Sequence, residues 1–76
     1  MKLESSYSFD FGELNEVYFK LLSEEDFDFK NKNIDLDVKF DDKVNVDLSC
    51  SSILDLKIAT TALVKSLEVI DKTLNI

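Results

Sequence analysis

The sequence predicts an α+β fold of order β-α-β-β-α, a three-stranded antiparallel sheet with two helices on one face. Three observations point there. Three stretches alternate apolar and polar residues with period two, two others repeat apolar residues at i, i+3, i+4 and i+7, and short polar segments separate them. At 76 residues the chain has room for one domain, spanning 1–76. A domain of this size buries only about 60% of the surface its unfolded chain exposes, so outside help with stability is expected. One cysteine, Cys50, cannot make an internal disulfide, and the chain contains no His, the commonest transition-metal ligand. Self-association or assembly into a complex is the remaining aid. A single thiol also suits a reducing, intracellular compartment.

The first element is a strand. From Leu3 to Phe11 the odd positions Leu3, Tyr7, Phe9 and Phe11 are apolar, with Ser5 among them, and Glu4, Ser6, Ser8 and Asp10 form the other face. Gly12, the single glycine, marks the change of direction. A helix follows in which Leu14, Val17, Tyr18, Leu21 and Leu22 make one apolar face, with Glu13 and Glu16 in the dipole-favoured first turn. The segment Ser23–Asn33 joins an acidic run, Glu24-Glu25-Asp26, to Phe27 and Phe29, which are expected to cover an edge of the core or of an interface. Lys30 and Lys32 close it as the densest basic spot.

Ile34, Leu36, Val38 and Phe40 alternate with acids and Lys39, and after Asp41-Asp42-Lys43 the pattern resumes as Val44, Val46, Leu48 and Cys50. Two such runs across a short polar loop predict a β-hairpin covered on one face only. Cys50 falls on the apolar side and is read as a small buried hydrophobe. Ser51 or Ser52 then caps the last helix, with Asp55 placed for a capping box from Ser52. This helix carries a stripe of Leu56, Leu63 and Ile70 with Thr60, Leu67 and Leu74, and a second, off-stripe set of Leu54, Ile58, Ala62 and Val69. One sheet cannot cover both. The surplus predicts a partner, and Leu54, Ile58, Ala62, Leu63, Leu67 and Val69 are the candidate partner contacts.

Composition narrows the function. Sixteen acidic residues against nine basic ones, all Lys, give a formal charge of −7, which opposes independent binding to nucleic acid. No apolar run approaches the roughly 20 residues that span a bilayer, and Met1–Glu4 has no signal-peptide character. A cytoplasmic protein without membrane attachment is expected. General acid–base chemistry at neutral pH lacks its His, no Ser/His or Cys/His pair can form, and one glycine cannot build a phosphate-cradling loop. The carboxylate pairs Asp35/Asp37 and Asp41/Asp42 read as solvated charge, and a cation site of Asp41, Asp42 and Asp47 lacks calcium-loop spacing. A non-enzyme without cofactor or metal is expected.

The run Val44–Cys50 leading into Leu56-Lys57-Ile58-Ala59-Thr60-Thr61-Ala62-Leu63-Val64-Lys65-Ser66-Leu67-Glu68-Val69 resembles the Pcc-type (CTAG/Pcc family) subunit of the KEOPS complex. There a strand ends in a small residue before a helix of the form Leu-basic-x-Ala-x-x-x-x-Leu-basic-x-Leu. Glu16–Leu22, between an aromatic strand and an acidic turn, fits as well, and the likeness covers Ser6 to Leu74. The resemblance implies a small, non-catalytic dimerising subunit that docks its helices on the catalytic subunit of a complex placing threonylcarbamoyl on the tRNA adenosine next to the anticodon. It implies a homodimer or a heterodimer with a second archaeal paralogue, and the Lys-, Ile- and Asp-rich composition fits an archaeal source. Candidate tRNA contacts are Lys30, Lys32, Lys57 and Lys65. Family members tend to carry Arg there, Glu68 stands where a basic residue is common, and Lys is the poorer fork for phosphate, so tRNA contact is expected to be weak or indirect. The readings beside it are a small ligand-sensing or regulatory α/β dimer, for which glycine-rich strand–helix turns are wanting, and a generic oligomeric adaptor.

Overall fold

The computed structural model describes residues 1–27, 29 and 33–75. Strand β1 (Leu3–Phe9) is followed by a 3₁₀ turn (Gly12–Leu14), helix α1 (Asn15–Ser23), strands β2 (Asp35–Phe40) and β3 (Val44–Cys50) and helix α2 (Ile53–Leu74). The sheet is antiparallel in the order β1-β3-β2, so the last strand formed is the central one. In register, Ser5, Leu48 and Leu36 form one cross-strand row and Tyr7, Val46 and Val38 the next.

Alternation on β3 is complete. Val44, Val46, Leu48 and Cys50 are all buried, while Asn45, Asp47 and Ser49 lie on the open face. Both helices cover the first set. Tyr18 and Leu22 of α1 meet Leu63 and Ile70 of α2 over Val44 and Val46, and Ala59 closes over Leu48 and Cys50. Because Ala59 lies near the Cys50 end and Ile70 near the Val44 end, α2 runs antiparallel to β3. The Cys50 thiol is enclosed and lies 3.5 Å from the Ser52 carbonyl oxygen, which accepts from it. Phe27 packs on the larger cluster, Phe29 on the smaller, and their rings stack at 5.8 Å.

Ser52 is the N-cap of α2: extended at φ −148°, ψ 157°, its hydroxyl accepts the Asp55 N–H at 3.0 Å. The residues of α2 that face the sheet include two small ones, Ala59 and Ser66, beside Leu63 and Ile70. A small side chain at such positions lets the helix axis approach the strands closely, and Leu56, Leu67 and Leu74 fill in at the flanks as half-buried neighbours.

Three boundaries differ from the sequence pattern, and one device explains two of them. Strand β1 stops at Phe9, not Phe11, and α1 begins at Asn15, not Leu14. The Asp10 carboxylate accepts the Gly12 N–H at 3.0 Å and the Asn15 amide at 3.1 Å, while the Phe11 N–H donates to Asn15 Oδ1 at 2.6 Å. These bonds take Phe11 out of the ladder and turn the chain through Gly12, whose φ of +62° suits glycine. The Phe11 ring instead stacks on Tyr18 at 3.7 Å. The helix then enters with Asn15, Tyr18 and Leu22 inward, which leaves Leu14 and Val17 of the expected apolar face exposed. Strand β2 starts one residue after Ile34, and Phe40, at its far end, is partly exposed and stacks on Phe19 of α1 at 5.4 Å.

Asn15 is also a tie between distant parts, because its amide donates to the Asp42 carbonyl in the β2–β3 loop at 3.1 Å. Asp10 is held below its ordinary value of 3.8 by the Gly12 N–H first and by Asn15 second. A carboxylate depressed in the folded state stabilises it fully above the unfolded pKa and loses that contribution as pH falls through the folded one. Replacing Asn15 by Ala is expected to cost roughly 1–3 kcal/mol in urea unfolding, the net worth of its three hydrogen bonds to half-buried Phe11 and exposed Asp10 and Asp42. The variant should also lose part of the wild type's stability decline below about pH 4.

Candidate functional site

Helix α2 rises about 1.5 Å per residue over 22 residues, roughly 33 Å, whereas the seven residues of β3 extend about 23 Å. The helix is therefore longer than the sheet it covers, and much of its circumference is open. Leu54 and Val69 are each 63% exposed, Ile58 and Ala62 are half-buried, and all four lie on the outer side of the helix.

A shallow depression of about 490 Å³ follows this side, lined by Leu54, Lys57, Ile58, Thr61, Ala62 and Lys65. Ala62 and Lys65 also border a smaller one of about 250 Å³ that reaches Val69 and Phe27. The smaller one is also bordered by Glu25 and Asp26, and the larger sets aliphatic Leu54, Ile58 and Ala62 beside the exposed Lys57 and Lys65. They are eight positions apart, about 12 Å along the axis.

The six expected partner contacts thus separate. Leu54, Ile58, Ala62 and Val69 share the outer ridge. Leu63 does not: at 1% exposure it is a core residue packed over β3, so its side chain is closed to a partner. Leu67 is half-buried against the same core and offers only its edge. The reason is helical phase. Leu63 belongs to the line Leu56, Leu63, Ile70, and that line is the one turned to the sheet. Of the four lysines proposed for tRNA, Lys57 and Lys65 stand on the ridge, and Lys30 and Lys32 lie outside the described residues. Glu68, one turn beyond Lys65, pairs with Lys72 at 3.0 Å.

Sequence periodicity missed another exposed pair. Ile53 (69%) and Val64 (54%) lie on the flank of α2 that also bears Thr60, and the Thr60 hydroxyl is 3.4 Å from the Tyr7 hydroxyl of β1. That flank overhangs the β1 side of the sheet. Only the strand order reveals it, and no local pattern carries the strand order.

The open face of the sheet is polar. Glu4, Asp35, Asp37 and Asp47 surround a depression of about 300 Å³. Asp47 is held below its usual value, first by the Ser6 hydroxyl, which donates to it at 2.8 Å, and then by Lys39, 3.3 Å away. Lys39 is raised by the same Asp47. These are solvated interactions, screened by water, and they add little to stability. Asp41 and Asp42 stand in the hairpin loop, whereas Asp47 lies opposite Asp37 three residues into β3, roughly 10 Å away, so the three do not form one site. Among the described residues no group of His, Cys, Asp and Glu side chains is arranged to hold a metal ion, and no helix is long and apolar enough to cross a membrane.

No protein-family model, no curated protein and no solved structure matches the chain.

The ridge and the core make opposite demands on the same helix. Leu54→Asp and Val69→Asp should each change unfolding free energy by no more than about 0.5 kcal/mol, as surface changes do. Leu63→Ala should cost about 2–5 kcal/mol by chemical denaturation.

Proposed function

We propose that this chain is a non-catalytic, dimerising scaffold subunit of a KEOPS-type complex, serving threonylcarbamoyl modification of tRNA by docking α2 on the catalytic subunit. The observation that carries the reading is the outer ridge of α2, Leu54, Ile58, Ala62 and Val69, an aliphatic surface on a chain whose formal charge is −7. Apolar side chains that line one side of a helix, two of them well exposed and rimmed by polar residues, are characteristic of protein–protein contact. The order β-α-β-β-α, which the resemblance requires, supports the same reading.

In this reading the two faces of α2 divide the work. The line Ala59, Leu63, Ser66 and Ile70 anchors the helix on β3, and the ridge meets an apolar helix face of the catalytic subunit. The dimer, with a second copy or a paralogue, lets one small subunit pair join two catalytic ones. Lys57 and Lys65 flank the ridge as separate point charges, so any tRNA contact is a minor addition to a surface supplied by the rest of the complex. The compartment is the cytoplasm, where tRNA is modified.

The test is co-purification with a KEOPS-type catalytic subunit expressed in the same cells. The double variant Leu54→Glu, Val69→Glu is expected to keep its far-ultraviolet circular dichroism and lose the catalytic subunit. A double variant that still brings the catalytic subunit down would remove the ridge from the account. Wild-type protein that captures none would remove the complex.

A further inference from the structure

We infer that the outer edge of β2 takes an added strand from a partner protein, an extended segment that alternates aliphatic and basic residues. Its aliphatic side chains turn toward the helices and its basic ones toward the open face of the sheet. This surface is separate from the α2 ridge, and the inference stands or falls independently of the reading above.

The order β1-β3-β2 makes β2 an end strand, and among the described residues no strand pairs with its outer side. Such an edge presents a row of N–H and C=O groups that can pair with another chain. Beside it opens a notch of about 220 Å³, bordered by Leu36, Asp37 and Val38 of the strand and by Leu22, Glu25 and Phe27. Successive residues of a strand face opposite sides, so a hollow bordered by three in a row lies at the edge of the strand, not over one face. At the far end, Phe40 continues the inner row of Leu36 and Val38 and is 44% exposed although Phe19 stacks on it. An added strand with aliphatic residues on its inner side would fill the notch and cover this ring.

Charge on the other face selects the alternate residues. Asp35 and Asp37 project there from β2, and Asp47 lies opposite Asp37 on β3. Among the described residues these three carboxylates share one ion-pair partner, Lys39, which is 3.6 Å from Asp37 and 3.3 Å from Asp47. The row is therefore two positive charges short, on a chain that carries −7 overall. Basic residues at every second position of an added strand fall beside Asp35 and Asp37, where opposite charges across strands attract. Those pairs stay solvated, so they choose the partner while the ladder and the notch hold it. A second copy of this chain fits less well. Of its strands Leu3–Phe9, Asp35–Phe40 and Val44–Cys50, none has basic residues at alternate positions.

The test titrates the full chain into a fluorescent, end-capped peptide of alternating Val and Lys and follows anisotropy. Saturable binding to the wild type is expected. The same peptide methylated at every backbone nitrogen keeps its side chains and charge but loses its N–H donors, and should bind at least tenfold more weakly. The double variant Asp35→Lys, Asp37→Lys should weaken the Val–Lys peptide about tenfold and accept a Val–Glu peptide that the wild type refuses, with circular dichroism unchanged. No saturable binding to the wild type overturns the inference. Equal binding of the methylated peptide overturns strand addition, since charge attraction alone would then account for it. A double variant that lowers the mass of a wild-type oligomer in sedimentation, yet binds the Val–Lys peptide as before, assigns the edge to a second copy and overturns it as well.

Discussion

Everything in this molecule leans on the packing of α2 across β3. Leu63, Ile70 and Ala59 of α2 reach the buried side chains at both ends of β3, whereas α1 joins them only over Val44 and Val46. The strand in turn holds β1 on one side and β2 on the other, so a helix displaced from β3 would expose the middle of the sheet. Helix α1 is secondary. It fills the Val44 end with Tyr18 and Leu22, and its Tyr18 hydroxyl donates to Asp71 of α2 at 3.2 Å, joining the two helices.

This arrangement determines where contact with other molecules is available. A helix that spends one face on a narrow sheet has the rest of its circumference left, and here that remainder is aliphatic in two places. The ridge of Leu54, Ile58, Ala62 and Val69 points away from the sheet, and Ile53 and Val64 point over its β1 edge. The acidic side chains are concentrated elsewhere, on the open face of the sheet and in the loops. Charge keeps those regions solvated, and apolar area marks the regions that are not meant to stay so.

Much of the fold was legible in the residues. Period two in Val44–Cys50 and the Ser52 cap read correctly because each is set by local geometry. The β1–α1 corner did not, since it depends on Asn15 reaching both Asp10 and the Asp42 carbonyl, and a lone Asn gives no periodic signal. The candidate surface was half legible. Counting apolar residues identified an excess on α2, yet it left Leu63 both in the stripe and among the partner contacts, because a helix apolar on several sides does not declare which side meets the sheet. Ala59 and Ser66, the residues that do declare it, are inconspicuous for being small. The β1 flank required the strand order, a long-range property.

Strand β1 has one more consequence, in time. Its partner in the sheet is β3, so Phe9 must wait for Val44 and Leu3 for Cys50. On a ribosome, where the chain emerges N-terminus first, β1 is made early and stays without its strand partner while the next forty or so residues are made, roughly two to eight seconds at the usual rate of synthesis. The hairpin of β2 and β3 closes over a three-residue turn, whereas β1 must close a far longer loop, which is the slower entropic step. An aromatic strand of low charge therefore spends its first seconds unsheltered. Its serines, Ser5, Ser6 and Ser8, keep it soluble until the centre of the sheet arrives.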